Sequence, residues 1–214
     1  MIFRRKRSKR NLLFVLALCL SCLFSMAAAS AAGKQDVRIA VLPLRLAENL
    51  ELAPGAYEEL DAAFRRSVDE AVKKQRSLIA YVPQDESREV YEAIVNRVEG
   101  NDDPMVVLEP LAYVLEADIV LQPELLIYQQ KDYLTLNQSR TESKMYTASV
   151  AGIRLIGYDA AEQKLFTKTE TRLYDYEQAN VGQASYLARK CMDQALKDTK
   201  IKERVAEAAQ HIQH

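Results

Sequence analysis

Residues 164–176 alternate with the two-residue period of a β-strand. Leu165, Thr167, Thr169, Thr171 and Leu173 take one side, and Phe166, Lys168, Glu170, Arg172 and Tyr174 take the other. Met145 to Tyr158 reads as a second long strand, and Asp159-Ala160-Ala161-Glu162 between them as a hairpin turn. A hairpin of this length needs further strands or helices to bury one of its faces.

The rest of the chain supplies them. Val37-Arg38-Ile39-Ala40-Val41-Leu42-Pro43 predicts a central strand that Pro43 ends. Tyr57, Leu60, Phe64, Val68, Ala71 and Val72 recur at helical spacing, with Glu58 and Glu59 early and Lys73-Lys74 late to complement the helix dipole. Leu78 to Val82 predicts a short strand stopped by Pro83, and Ser87 to Val98 a helix with Val90, Ile94 and Val98 in a stripe. Asp103 and Pro104 form a good helix start, and Pro110 is expected to kink or divide the helix that follows. Ile119-Val120-Leu121 and Leu125-Leu126-Ile127-Tyr128 predict a strand bent at Pro123. Gly182 to Lys197 predicts a helix with Leu187, Ala188, Cys191, Met192, Ala195 and Leu196 on one stripe, and Ile201, Val205, Ala208 and Ile212 continue it after a phase slip.

The expected fold class is α/β (α+β): a single mixed β-sheet with packed helices, in the order β-α-β-α-α-β-β-β-α. The expected organisation is a leader at 1–32, an α/β domain at 33–180, and C-terminal helices at 181–214, docked or partly extended.

The leader has the three parts of a secretory signal peptide. Arg4, Arg5, Lys6, Arg7, Lys9 and Arg10 stand at the start, with no acid before Gln35. An apolar run from Leu12 to Met26 leads into Ala27-Ala28-Ala29-Ser30-Ala31-Ala32-Gly33. Roughly fifteen apolar residues fall short of the 20 or so that a spanning helix needs, so cleavage after Ala31 or Ala32 is expected and no stable membrane span after it. Lys6 and Arg7 stand where a twin-arginine signal wants apolar residues, so the general secretory route is expected. Cys19 and Cys22 lack a lipobox, which favours a soluble product, periplasmic or released, over a lipoprotein.

Removing the six leader bases from 29 leaves 23 against 30 acids, a net charge of about −7. That balance disfavours nucleic acid and anionic lipid as partners. Only Cys191 survives cleavage, so no internal disulfide forms and packing must hold the domain.

No Gly-rich phosphate loop, nucleophile elbow or zinc-protease helix motif is present. The mature chain has two histidines, His211 and His214, both at its extreme end, where two nitrogens without a third ligand make a poor metal site. Cys191 lies on an apolar stripe and reads as a buried small hydrophobe. Asp102-Asp103 reads as helix capping, Glu58-Glu59 as a solvated helix start, and Asn137-Gln138-Ser139 as a chance match to a glycosylation acceptor. No catalytic, cofactor-binding or metal residue is assigned and no cofactor is expected. If Leu165, Leu173 and the threonines face the core, then Phe166, Lys168, Arg172, Tyr174 and Tyr176 form an outer partner face, unless a C-terminal helix covers it.

Three segments carry a family resemblance. Val37–Pro43 resembles the opening strand of the bacterial envelope α/β domains of the TolB amino-terminal, CsgG-type and LpoB-type group. Residues 111–121 are similar to their helix-into-strand unit, and 151–159 to their late strand running into a hairpin turn. Gln122-Pro123 departs from the Gly that commonly follows in the group. The resemblance implies an envelope accessory or binding domain and carries no catalytic residue. The function expected is that of an exported, non-enzymatic envelope protein acting through an envelope protein or self-association. The alternative is a small-ligand or polysaccharide-binding protein of the same compartment.

Overall fold

The computed structural model describes residues 36–48, 50–98, 103–136 and 143–212. The leader with Cys19 and Cys22, Asp102, the 137–139 triplet and His214 lie outside the described residues.

Strand β1 (Val37–Val41) is central, as its apolar run predicts, with β3 (Ile79–Tyr81) and β4 (Ile119–Leu136) parallel on either side. A two-residue β2 (Arg45–Leu46) also pairs with β4. Strands β5 (Ser143–Asp159) and β6 (Lys164–Glu177) follow antiparallel, giving the order β3-β1-β4-β5-β6 in one mixed sheet packed with helices.

Helix α1 (Ala56–Ala71) starts at Gly55, whose φ of 82° is the left-handed conformation that glycine adopts without penalty. Leu60, Phe64 and Val68 are buried as their spacing predicts. The helix ends before Lys73-Lys74, which belong to a 3-10 turn (Lys73–Leu78), because Val72 is drawn into the core at the helix end. Helix α2 (Gln84–Val95) begins three residues before the expected Ser87, with Asp85 and Glu86 in its first turn.

Helix α3 (Pro104–Val114) is capped by Asp103, whose side chain accepts from the Met105 N–H at 2.9 Å. Pro110 does not divide it; the proline sits on the exposed side of a continuous helix. Helices α4 (Ala184–Asp198) and α5 (Ile201–Ile212) are separated at Lys200, whose φ is 54°. That residue is the source of the phase slip in the sequence. Ile201, Val205, Ala208 and Ala209 bury α5 in the main core, so the C-terminal helices are docked.

The sheet separates two cores. Val37, Ile39, Ile119, Leu121, Ile153 and Leu155 face α1, α4 and α5, while Ala40, Leu42, Val120, Ile156 and Tyr158 face α2 and α3. Cys191 is fully buried and its Sγ lies 3.5 Å from the Ala151 carbonyl. Burial pushes its thiol up to about 11 from 9.0, so stability is unaffected below about 9 and falls as pH rises towards 11. Urea melts of the native chain are expected to show that loss, and Cys191→Ala to flatten it.

Candidate interaction surface

The sheet carries an arm that the helices do not enclose. β1 pairs with β4 as far as Leu121 and β2 as far as Leu125. The expected bend at Pro123 is absent: Pro123 pairs with Leu155 inside a continuous strand. The irregularity lies between Leu125 and Ile127, a β-bulge that marks where β4 leaves its parallel neighbours. From Ile127 to Leu136 β4 pairs with β5 alone, an overhang of roughly 33 Å at 3.3 Å per residue.

At the root of the arm Glu124 is buried, held at 2.5 Å by Arg154 and at 3.8 Å by Arg45. Further out, Gln130 Oε1 accepts from the Ala184 N–H at 3.0 Å and so caps the start of α4. Thr147 donates to Asp132 at 2.6 Å on the same side. On the opposite side the Tyr133 and Tyr146 rings stack with centroids 5.8 Å apart, and the Tyr133 hydroxyl donates to Asp175 at 2.6 Å. These side-chain bonds across three strands keep the arm extended.

Phe166, Lys168, Arg172, Tyr174 and Tyr176 share the side of the sheet that carries α4. Covering divides that side. The Phe166 ring lies against the main core under the Arg204 guanidinium, 4.4 Å from its centroid. Lys168 is held by Asp198 at 2.9 Å and Glu170 at 3.3 Å, and Lys168 in turn lowers the Asp198 carboxyl below its usual range. Towards the arm tip Arg172 is exposed. The half-buried Tyr174 packs its ring on Gly182 and edge-on to Tyr176, with centroids 5.5 Å apart. Tyr176 is 69% exposed.

The arrangement in which Leu165, Leu173 and the threonines face the core is not the one adopted. Leu165 packs on the second core, but Thr167, Thr169 and Thr171 are exposed, as is Leu173 at 81%. The reason is that α4 docks on the Phe166 side, where the small Gly157 opposite Phe166 leaves room for the ring. A Cβ at residue 157 would come within 2.0 Å of that ring. Gly157→Ala is therefore expected to destabilise the domain by about 1–3 kcal/mol, read by urea denaturation, with part of the loss recovered by adding Phe166→Leu.

Leu134, Leu136 and Met145 extend the exposed side beyond Tyr176, at 63%, 62% and 40% exposure. The sequence signal for them was the alternation Tyr133-Leu134-Thr135-Leu136, which begins where the expected strand had already ended.

A second feature is a groove between α1 and α4, formed by depressions of about 530 and 630 Å³. Arg66 and Arg189 line both. Of the groove acids, Asp69, Glu70 and Asp193 are engaged by Arg76, Lys73 and Lys190 respectively, while Glu58 and Glu59 line the second depression without an ion pair among the described residues. Among the described residues Arg66 and Arg189 form no ion pair, no group of His, Cys, Asp or Glu is arranged to hold a metal, and no helix is long and apolar enough to cross a membrane.

No family model and no curated protein matches the chain. Solved structures do. The PelC dodecamer from Paraburkholderia phytofirmans is 12% identical with a TM-score of 0.43, over 80% of this chain and 91% of that one. The hypothetical protein CT253 from Chlamydia trachomatis is also 12% identical, with a TM-score of 0.44 over 80% and 99%. The LpoB C-terminal domain from Escherichia coli is 8% identical, with a TM-score of 0.35 over 70% and 92%.

Proposed function

We propose that this chain is an exported, periplasmic, non-enzymatic accessory protein of the bacterial cell envelope that docks a protein partner with the tip of its β4–β5–β6 arm. The reading places it with the TolB amino-terminal, CsgG-type and LpoB-type domains as a binding module. The arm carries it: Leu134, Leu136, Met145 and Tyr176 stand exposed on one side, next to Arg172. Aromatic, Met and Arg side chains of this kind are enriched at the centres of protein interfaces. The basic leader and its small-residue cut site supply the export part of the reading.

The test is affinity capture from cross-linked envelope fractions with the native chain and with Leu134→Asp combined with Met145→Asp. A specific protein retained by the first and lost with the second, at unchanged melting temperature, is expected. Retention of a glycan or metabolite instead of a protein overturns the reading.

The groove between α1 and α4 favours a second reading, as a small-ligand or polysaccharide-binding protein. Two guanidinium groups without ion pairs in depressions of this size suit a carboxylate or phosphate ligand. Titration with inorganic phosphate and with acidic oligosaccharides, against Arg66→Ala, separates it from the first.

A further inference from the structure

Strand β6 is a long, regular edge whose only protection is its charged side chains. Natural edge strands are kept from pairing with other chains by shortness, proline, bulges or charged side chains, and charges protect an edge only where they repel those of the incoming strand. The opposite edge, β3, has three residues. β6 has fourteen, contains no proline, and pairs with β5 from Lys164 to Glu177 without a register shift.

Its side chains also complement themselves. An antiparallel pair related by a two-fold axis perpendicular to the sheet sets each residue opposite one on the same face. With the axis at Thr169, Lys168 meets Glu170 of a second copy, Thr167 meets Thr171, Phe166 meets Arg172, and Leu165 meets Leu173. Each of these pairs is complementary: opposite charges that are also paired within each copy, two threonines, a guanidinium beside a ring that already carries Arg204, and two leucines, one of them 81% exposed in the single chain.

The neighbouring registers lose the leucine pair, and the odd-numbered ones at Thr167 and Thr171 keep one opposite-charge pair each, Lys164 with Glu170 and Glu170 with Arg172. An axis at Lys168 opposes Lys168 to itself and Lys164 to Arg172, and one at Glu170 opposes Glu170 to itself and Lys168 to Arg172. An axis at Thr171 sets Leu165 against Glu177 and Leu173 against Thr169.

We propose that two copies of this chain join through β6, antiparallel about a two-fold axis at Thr169, into one continuous sheet. The interface uses the strand edge and the threonine face, whereas the docking reading uses the arm tip, so each stands or falls separately.

Two experiments test it on the mature chain. Thr169→Cys is expected to give a disulfide-linked dimer under mild oxidation, since only residue 169 meets its own copy. Thr167→Cys and Thr171→Cys should cross-link when mixed and not alone; the buried Cys191 does not compete. Lys168→Glu and Glu170→Lys each place like charges opposite one another and should weaken self-association about tenfold or more. Mixing those two variants restores both opposite-charge pairs and should restore the dimer, read as mass in solution. A native chain that stays monomeric at high concentration overturns the proposal. So does cross-linking of Thr167→Cys alone as efficiently as Thr169→Cys, or a mixture of the charge variants no heavier than either component.

Discussion

Phe64→Ala is expected to destabilise the domain by about 4 kcal/mol, the usual size for deleting a buried ring in a core that cannot collapse around the gap. Phe64 is fully buried in the main core, which also takes in β1, β4, β5 and the helices α4 and α5. A ring placed there by α1 contributes to the cluster on which the whole helical layer rests. Such a loss is a large fraction of the 5–15 kcal/mol that holds a typical domain together. Urea denaturation should show a lower midpoint with unchanged slope, because the surface exposed on unfolding stays nearly the same.

Asp61→Ala is expected to cost about 3 kcal/mol for a different reason. Asp61 Oδ1 accepts from the Leu44 N–H at 2.8 Å, just past the end of β1. Its Oδ2 accepts from Arg65 Nε at 2.9 Å, and Arg65 Nη1 donates in turn to the Val41 carbonyl at 2.9 Å. The carboxylate thus ties α1 to the outgoing chain of β1 and balances a largely covered cation. Removing it strands both the Leu44 N–H and the Arg65 charge, whereas removing both side chains leaves the Leu44 N–H and the Val41 carbonyl without these partners but no unbalanced charge. Asp61→Leu combined with Arg65→Met should therefore be more stable than Asp61→Ala alone, and equal or lower stability of the double variant would show that the ion pair is not the source of the loss.

How far the sequence reaches is clear from single elements. The Leu60, Phe64 and Val68 stripe places α1 because that helix has one wet and one dry face, and spacing reports such a contrast directly. Asp103 before Pro104 marks the start of α3 because capping is local. The arm was not legible: Gln129-Gln130-Lys131-Asp132 shows no apolar alternation, since this stretch leaves β1 and β2 behind and is held by cross-strand pairing with β5. Alternation in β6 showed two different faces without saying which one a helix covers. That depends on where α4 lands, and Gly157 beneath Phe166 decides it across the hairpin. The Asp61 tie to Leu44 left no pattern, because it joins a helix to a strand end through tertiary placement alone.

The central claim is that the arm tip meets a protein partner in the envelope. A photo-cross-linking side chain placed at Met145, with Lys202 on the exposed side of α5 as control, tests it in growing cells. The account predicts one discrete adduct from residue 145, heavier than the chain by a mass other than its own, abolished by Leu134→Asp and absent from residue 202. No adduct from residue 145, or the same adducts from both positions, would contradict it.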